Sequence, residues 1–111
     1  MQLEHMKCKP CEGGTKKMQI SAARNYMPMV PGWKLCRDMI SCQLKFKDFK
    51  EAVRFVDKVA VLAEKEGHHP DIAIHSWNHV RIHLSTHAIG GLSQNDFVMA
   101  AKINKIFNMG S

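Results

Sequence analysis

The sequence predicts a single α+β domain, a two-layer sandwich of a four-stranded antiparallel sheet with helices on one face. Two stretches, Ile40 to Phe46 and Val80 to Thr86, alternate apolar and polar residues with the period of two typical of half-buried strands. Between and after these stretches, apolar residues recur at helical spacing. Two hairpins separated by a helix favour an antiparallel sheet, in the order α-β-β-α-β-β-α.

The first half of the domain begins with a short helix. Ser21 is a possible cap for it, and the two prolines that follow Met27 end it. Residues Trp33 to Arg37 form a hairpin with the strand that starts near Ile40, and the turn is expected near Asp38.

A long central helix is predicted from Phe49 to Glu66. Asp48 and Glu51 form a capping signal at its start, and Gly67 ends it. Its apolar residues recur at helical spacing, at Phe49, Val53, Val56, Ala60 and Ala63.

The second half of the domain is predicted to contain two more strands and a last helix. Ile72 and Ile74 indicate a third strand, Asn78 a tight turn, and Val80 to Thr86 a fourth strand. Ser93 caps the last helix, which carries the apolar residues Phe97, Ala101, Ile103 and Phe107.

Composition limits the number of domains and the kinds of partner. A chain of 111 residues with 45% hydrophobic content fits one domain, predicted over residues 21–109. Residues 1–20 are predicted to form an irregular arm, whose first six residues, like Gly110-Ser111, fit no element and are attributed to fraying or to sequence added for expression. The formal net charge is +6, but aromatic residues are not interleaved with the basic residues. We therefore expect a solvated surface and no direct nucleic-acid partner.

No apolar run is long enough for a bilayer span or a signal peptide, so we expect no membrane partner and a location in the cytoplasm, with the nucleus left open. The four cysteines, Cys8, Cys11, Cys36 and Cys42, are then expected to be free thiols.

Six of the seven histidines fall between His68 and His87. His75, His79, His83 and His87 recur every fourth residue, which on a helix would suggest a zinc site. The alternating apolar residues around them indicate a strand instead, so His79, His83 and His87 are placed on its open face. His5, Cys8 and Cys11 have ligand-like spacing, but a single CxxC is a weak zinc signal, and no metal is predicted.

The dipeptide His68-His69 precedes Pro70 at the end of the central helix. Pro70 disfavours helical geometry at His69, so the two rings should diverge and could line two walls of one pocket. The alternative is a pair of solvated histidines that interact favourably with the helix dipole.

Four motifs together resemble the pterin-4a-carbinolamine dehydratase family. They are Glu66-Gly67-His68-His69-Pro70, Trp77-Asn78-His79-Val80, Leu84-Ser85-Thr86-His87, and Gly91-Leu92-Ser93 with Asp96. The resemblance covers about Ser21 to Phe107. It departs from the family's usual residues at Ile72, Trp77 and Ile89, which affects the fine shape of the pocket. The Cys8-Lys9-Pro10-Cys11 arm is similar to that of some microbial, plant and protozoan members.

The resemblance implies a dehydratase that converts a 4a-hydroxytetrahydropterin into quinonoid dihydropterin and water, without a cofactor. It assigns proton transfer to His68 and His87, pterin contact and support to His69, and a tautomer-fixing role to Asp96. It also implies substrate binding by Glu64, His68, His69, Ser85, Thr86 and His87. From the residues alone, Ser93 and Asp96 equally form a capping pair, and Ser85 and Thr86 are ordinary strand residues.

The resemblance further implies a homodimer or homotetramer, and it leaves open a second role as a dimerisation cofactor for a transcription factor. The corresponding surface would include the apolar residues Phe55, Val61 and Leu62 of the central helix. The simpler interpretation is that these residues complete a core or a contact between identical subunits.

Overall fold

A computed structural model describes residues 2–9 and 16–109 of the chain. Three helices and four strands follow in the predicted order: α1 (Ile20–Tyr26), β1 (Lys34–Cys36), β2 (Met39–Lys45), α2 (Phe49–Glu66), β3 (Asp71–His75), β4 (His79–Leu84) and α3 (Gln94–Asn108). The strands form one sheet in the order β1-β2-β4-β3, and each neighbouring pair is antiparallel. The predicted fold class is therefore confirmed.

The sheet has one apolar face, and the helices cover it. The register places Cys42 opposite Ile82, and both side chains are buried. Residues of the opposite face, such as Gln43 and Arg81, also lie across from each other and are exposed. The period of two in the sequence thus separates a core face from an open face, because successive side chains of a strand point to opposite sides.

Helix α2 has both of its predicted ends. The side chain of Asp48 accepts a hydrogen bond of 2.9 Å from the backbone N–H of Glu51, which satisfies one of the open donors of the first turn. Gly67 follows the last turn with φ of 66°, a left-handed conformation that glycine adopts without a Cβ penalty, and its N–H bonds to the carbonyl of Ala63.

The buried stripe of α2 differs from the predicted one. Phe49 and Ala60 are exposed, whereas the stripe consists of Ala52, Phe55, Val59 and Ala63. Phe55 is fully buried, with its ring centroid 5.0 Å from that of Phe46, so it belongs to the core, as the simpler interpretation expected, and not to an interaction surface. Both stripes have helical spacing, and burying the large Phe55 ring decides between them.

Helix α1 begins at Ile20, with Gln19 as the N-cap and no side-chain cap, so the predicted cap at Ser21 is wrong. Packing holds this short helix in place. Ala23 is buried, and the ring of Tyr26 stacks on Phe97 with centroids 4.8 Å apart. A helix of two turns needs such tertiary contacts, because helix nucleation is unfavourable in isolation.

Strand β4 ends at Leu84, before His87. The backbone N–H of Thr86 bonds to the carbonyl of Gly91 at 2.8 Å, and this bridge closes a loop that starts with a 3₁₀ turn at His87–Ile89. His79 and His83 lie on the open face as predicted, but His87 does not. The alternating pattern continues past Leu84, so it could not reveal where the ladder stops.

The start of the chain is part of the fold. Residues Leu3–His5 form a 3₁₀ turn that packs on α3, and the Leu3 side chain is buried in the main core. The expectation that the first six residues fit no element is therefore wrong for Leu3–His5. A single buried leucine creates no periodicity, so sequence patterns do not detect it. The predicted arm also includes residues 10–15, which lie outside the described residues.

Three cysteines, Cys8, Cys36 and Cys42, are free thiols as predicted, and Cys11 lies outside the described residues. Burial raises the pKa of the Cys42 thiol to about 12, so this thiol is neutral in the cell's pH range. Within residues 2–9 and 16–109, no helix has the length and apolar character needed to cross a bilayer.

We predict that Asn78→Ala lowers the free energy of unfolding by about 1–3 kcal/mol. Asn78 is buried in the turn before β4, and its side-chain amide donates to the carbonyl of Phe46 at 2.9 Å. Alanine leaves that carbonyl without this partner. Urea unfolding followed by circular dichroism measures the loss. Lys47→Ala, at an exposed neighbouring position, should change the unfolding free energy by less than about 0.5 kcal/mol; equal effects of the two variants would contradict the prediction.

Candidate active site

A pocket of about 420 Å³ lies where the end of α2, the loop after β4, the start of α3 and the N-terminal segment meet. It contains five of the predicted site residues, His68, His69, Ser85, Thr86 and His87, and two others, Glu64 and Asp96, do not line it. The lining residues are Cys8, Lys9, Glu66, Gly67, His68, His69, Ser85, Thr86, His87, Ala88 and Asn95.

His68 and His69 both follow the end of α2, but their side chains have different surroundings. The left-handed Gly67 turns the chain, and the N–H of His68 bonds to the carbonyl of Ala63 at 3.2 Å. The side chain of His68 is only 11% exposed, whereas that of His69 is 62% exposed. The two rings therefore occupy different environments within one pocket, which agrees with the expectation that they diverge.

His68 is held by a buried carboxylate. Its Nε2 lies 2.7 Å from Oδ1 of Asp96, a side chain with no solvent exposure. The other oxygen, Oδ2, accepts hydrogen bonds of 2.9 Å from the hydroxyl of Thr86 and from the backbone N–H of Ser93. The predicted capping box between Ser93 and Asp96 is present, so Asp96 starts α3 and binds His68 at the same time.

The directions of these hydrogen bonds follow from the acceptor-only character of a carboxylate. Thr86 must donate its hydroxyl proton to Asp96. Its oxygen, 2.8 Å from the Ser93 hydroxyl, then accepts from Ser93, whose own oxygen accepts the N–H of Asp96. The same reasoning makes Nε2 of His68 a donor. A neutral His68 therefore has its lone pair on Nδ1.

His69 contacts the carboxylate of Glu64 through its Nε2. Both groups are exposed, Glu64 by 77%, and Glu64 lies in the last turn of α2. The predicted role of Glu64 in substrate binding therefore has no counterpart in the pocket wall. Its contact is with a histidine that does line the pocket.

Ser85, Thr86 and His87 approach the pocket along the segment after β4. Both main-chain groups of Thr86 bond to Gly91, so they are not available to pair with a ligand edge as predicted. Neighbouring residues of an extended chain point their main-chain groups in opposite directions. A main-chain contact from this segment would therefore come from Ser85. His87 is exposed and starts the 3₁₀ turn.

Six lining residues were not predicted as site residues: Cys8, Lys9, Glu66, Gly67, Ala88 and Asn95. Glu66 is the first residue of the motif that contains His68 and His69, but no role was predicted for it. Its carboxylate is 3% exposed, accepts the N–H of Cys8 at 2.9 Å and lies 3.3 Å from Nζ of Lys102. Desolvation alone would raise the pKa of Glu66, but the Cys8 hydrogen bond and the Lys102 ammonium outweigh it and lower that pKa.

Metal ligands do not cluster in the part of the chain that the structure describes, where no group of three histidine, cysteine, aspartate or glutamate side chains could hold an ion. The pocket instead combines a histidine fixed by a carboxylate with two exposed histidines. Such groups can give and accept protons, which is the equipment of a general acid/base catalyst on an α+β fold.

Comparison with known proteins agrees with this class. The model of the family described as Pterin 4 alpha carbinolamine dehydratase matches residues 16–106. A relative from Azoarcus sp. (strain BH72), whose name places it in that family, is 41% identical over 99% of this chain and 95% of its own. The pterin-4-alpha-carbinolamine dehydratase 2, mitochondrial, of Arabidopsis thaliana is 41% identical over 94% of this chain and 58% of its own.

A crystal structure from Brucella melitensis, described as a transcriptional coactivator/pterin dehydratase, superposes with a TM-score of 0.76 at 33% identity, covering 82% of this chain and 98% of that one. The chain belongs to the pterin-4-alpha-carbinolamine dehydratase family, as its motifs predicted. The predicted enzyme class, a lyase that eliminates water, is the class of this family.

We predict that Glu66→Gln lowers the free energy of unfolding by about 2 kcal/mol at neutral pH, because it removes the charge that pairs with Lys102. Since folding lowers the pKa of Glu66, its contribution is complete above the unfolded value of about 4.3. It is lost as the pH falls through the lower folded value, so the difference between wild type and variant should shrink in acid.

Urea unfolding at a series of pH values measures this difference. Glu64→Gln is the matched control on the same helix, since Glu64 is 77% exposed, and it should cost less than about 0.5 kcal/mol. A difference between wild type and Glu66→Gln that stays constant down to strongly acidic pH would contradict the assignment.

Proposed function

We propose that the protein converts 4a-hydroxytetrahydrobiopterin into quinonoid dihydrobiopterin and water by histidine general acid/base catalysis, and so recycles a pterin cofactor. Membership of the dehydratase family supports the reaction class. The observation that carries the mechanism is the bond between His68 and the buried Asp96 at a pocket that His69 and His87 also line.

The reaction requires two proton transfers and no redox change. One proton goes to the departing 4a-hydroxyl, which leaves as water when the C4a–O bond breaks. Another proton leaves N5, whose electron pair forms the new double bond to C4a. Protons and electrons balance within substrate and protein, so the proposal includes no electron carrier or other cofactor.

His68 is suited to accept the N5 proton. Its Nε2–H is committed to Asp96, so the nitrogen that remains for a ligand is Nδ1, which bears the lone pair in the neutral ring. When Nδ1 takes a proton, the ring becomes cationic, and the adjacent carboxylate stabilises it. This is the general role of a carboxylate behind a catalytic imidazole.

His87 is then the donor to the hydroxyl, and His69 supports the ring of the substrate. Both side chains are exposed at the pocket, where they can exchange protons with water between turnovers. An acid that must be reprotonated in each cycle benefits from that access. The opposite assignment, with His87 as base, applies to a substrate whose hydroxyl lies on the other face.

A second candidate function is binding to a transcription factor, as the Brucella melitensis protein is described as a transcriptional coactivator as well as a dehydratase. Helix α2 offers Val61, 70% exposed, and Phe49, 55% exposed, for such a contact, with Leu62 half-buried. A contact between identical subunits, in a homodimer or homotetramer, would also bury these exposed apolar side chains. Feeble turnover together with specific recovery of one transcription factor would favour this second function.

We predict that His68→Ala and His87→Ala each reduce kcat by about 10²–10⁴-fold, because each removes one proton-transfer group. The assay follows the absorbance of freshly prepared 4a-hydroxytetrahydrobiopterin with and without protein. His83→Ala is the control, since His83 lies on the open face of the sheet and outside the pocket lining. Near-normal turnover by both pocket variants would eliminate the mechanism.

We predict that Asp96→Asn reduces kcat by about 100-fold or more, because the amide no longer stabilises a cationic His68. The carbonyl of asparagine can still cap α3, so helix capping is largely kept. The matched control is Asp48→Asn, which changes the cap of α2. Both variants should have similar unfolding free energies, and only Asp96→Asn should lose activity and shift the pH dependence of kcat. Parallel loss of stability and activity in both would assign Asp96 a structural role alone.

A further inference from the structure

The N-terminal segment, residues 2–9, reaches the pocket and is fixed there by several polar contacts. Its last two described residues before residue 10, Cys8 and Lys9, line the same pocket as His68 and His87. The family model begins only at residue 16, so this wall of the pocket lies outside the matched region.

Asn95 binds Lys9 in the way that a neighbouring strand would. The side-chain Oδ1 of Asn95 accepts the backbone N–H of Lys9 at 2.8 Å, and its Nδ2 donates to the carbonyl of Lys9 at 2.5 Å. Both main-chain groups of one residue are thus paired with one buried amide. Paired bonds of this kind fix the direction of the backbone as well as its position.

Cys8 is bound on both sides. Its N–H donates to Glu66, and its Sγ lies 3.7 Å from the carbonyl of Asn95. Burial, followed by the nearby Glu66 carboxylate, raises the pKa of the Cys8 thiol to about 12. A neutral thiol is a poor nucleophile and metal ligand, so Cys8 acts here as a packing group.

The two anchors are next to the proposed catalytic pair. Asn95 directly precedes Asp96 in α3, and Glu66 lies two residues before His68. The N-terminal segment is therefore anchored to the same two backbone segments that hold the histidine and its carboxylate.

We infer that Cys8 and Lys9, at the end of the N-terminal segment, form a substrate-binding wall that contacts the bound pterin and positions it against His68. This inference rests on the proposed function, because it takes the pterin as the ligand. Asn95 and Glu66 are positioning residues that act through the segment. In this proposal the wall contacts the pterin away from the 4a-hydroxyl and N5, so it should contribute equally to binding in the ground state and in the transition state.

The test uses Asn95→Ala in the full-length protein. The variant should raise KM about tenfold and change kcat less than about twofold, which is the signature of lost uniform binding. Hydrogen exchange should show faster exchange of the Cys8 and Lys9 amides. Isothermal titration with 7,8-dihydrobiopterin, a stable pterin, should show about tenfold weaker binding.

Asn104→Ala is the matched control. Asn104 is also an asparagine of α3 that anchors a loop, since it accepts from Trp33 Nε1 at 2.9 Å and donates to the carbonyl of Pro31 at 3.0 Å. It does not line this pocket. Its loss should reduce stability to a similar extent and leave KM and pterin affinity unchanged. Equal increases of KM in both variants would show a general effect of destabilisation and overturn the inference.

A second variant, Cys8→Ala combined with Lys9→Ala, keeps the core residue Leu3 and decides the case in which Asn95→Ala leaves the segment docked. If this variant keeps the wild-type circular dichroism spectrum and the wild-type KM, the wall does not bind substrate. If wild type binds 7,8-dihydrobiopterin but shows no turnover, the proposed function fails. The affinity ratio between wild type and Asn95→Ala then still tests the wall.

Discussion

The Asp96 carboxylate has no solvent exposure, and it is stable there because donors surround it. His68 binds one oxygen, while the Thr86 hydroxyl and the Ser93 N–H bind the other. The first turn of α3 adds the positive end of its dipole. Burial of a carboxylate without such partners would cost several kcal/mol of folding free energy. Because the donors come from three segments, their bonds to Asp96 join these segments into one unit. Those segments are the end of α2, the bridge at Thr86 and the start of α3.

This single unit explains why helix capping and proposed chemistry coincide. The capping box needs a carboxylate three residues after Ser93, and the orientation of His68 needs a carboxylate beside its ring, behind the pocket lining. One side chain meets both needs because it has two oxygens, each with its own donors. The structure shows both the cap and the bond to His68, so a capping role of Asp96 and its proposed functional role are compatible.

Much of the fold could be predicted because each pattern reports a local rule. Alternation between Ile40 and Phe46 fixed the core face of β2, and Asp48 and Gly67 fixed the ends of α2. The predictions that were wrong have one cause: tertiary contacts, which local sequence patterns do not report, determined the structure at those positions. The large ring of Phe55 chose the buried stripe of α2, and the bridge between Thr86 and Gly91 ended β4 before His87. The motifs located His68 and Asp96, but the pairing of Lys9 with Asn95, 86 residues apart, leaves no local signal.

The unequal exposure of the histidines fits the two tasks of the proposed reaction. His68, 11% exposed and bound to Asp96, has a fixed tautomer, which a base needs because its lone pair must face the proton it removes. His69, 62% exposed, and the exposed His87 have no such constraint from a buried carboxylate. A residue that takes its proton back from water must instead remain accessible. Burial on one side of the pocket and exposure on the other therefore separate the two proton transfers, and a substrate bound between them would contact both kinds of imidazole at once.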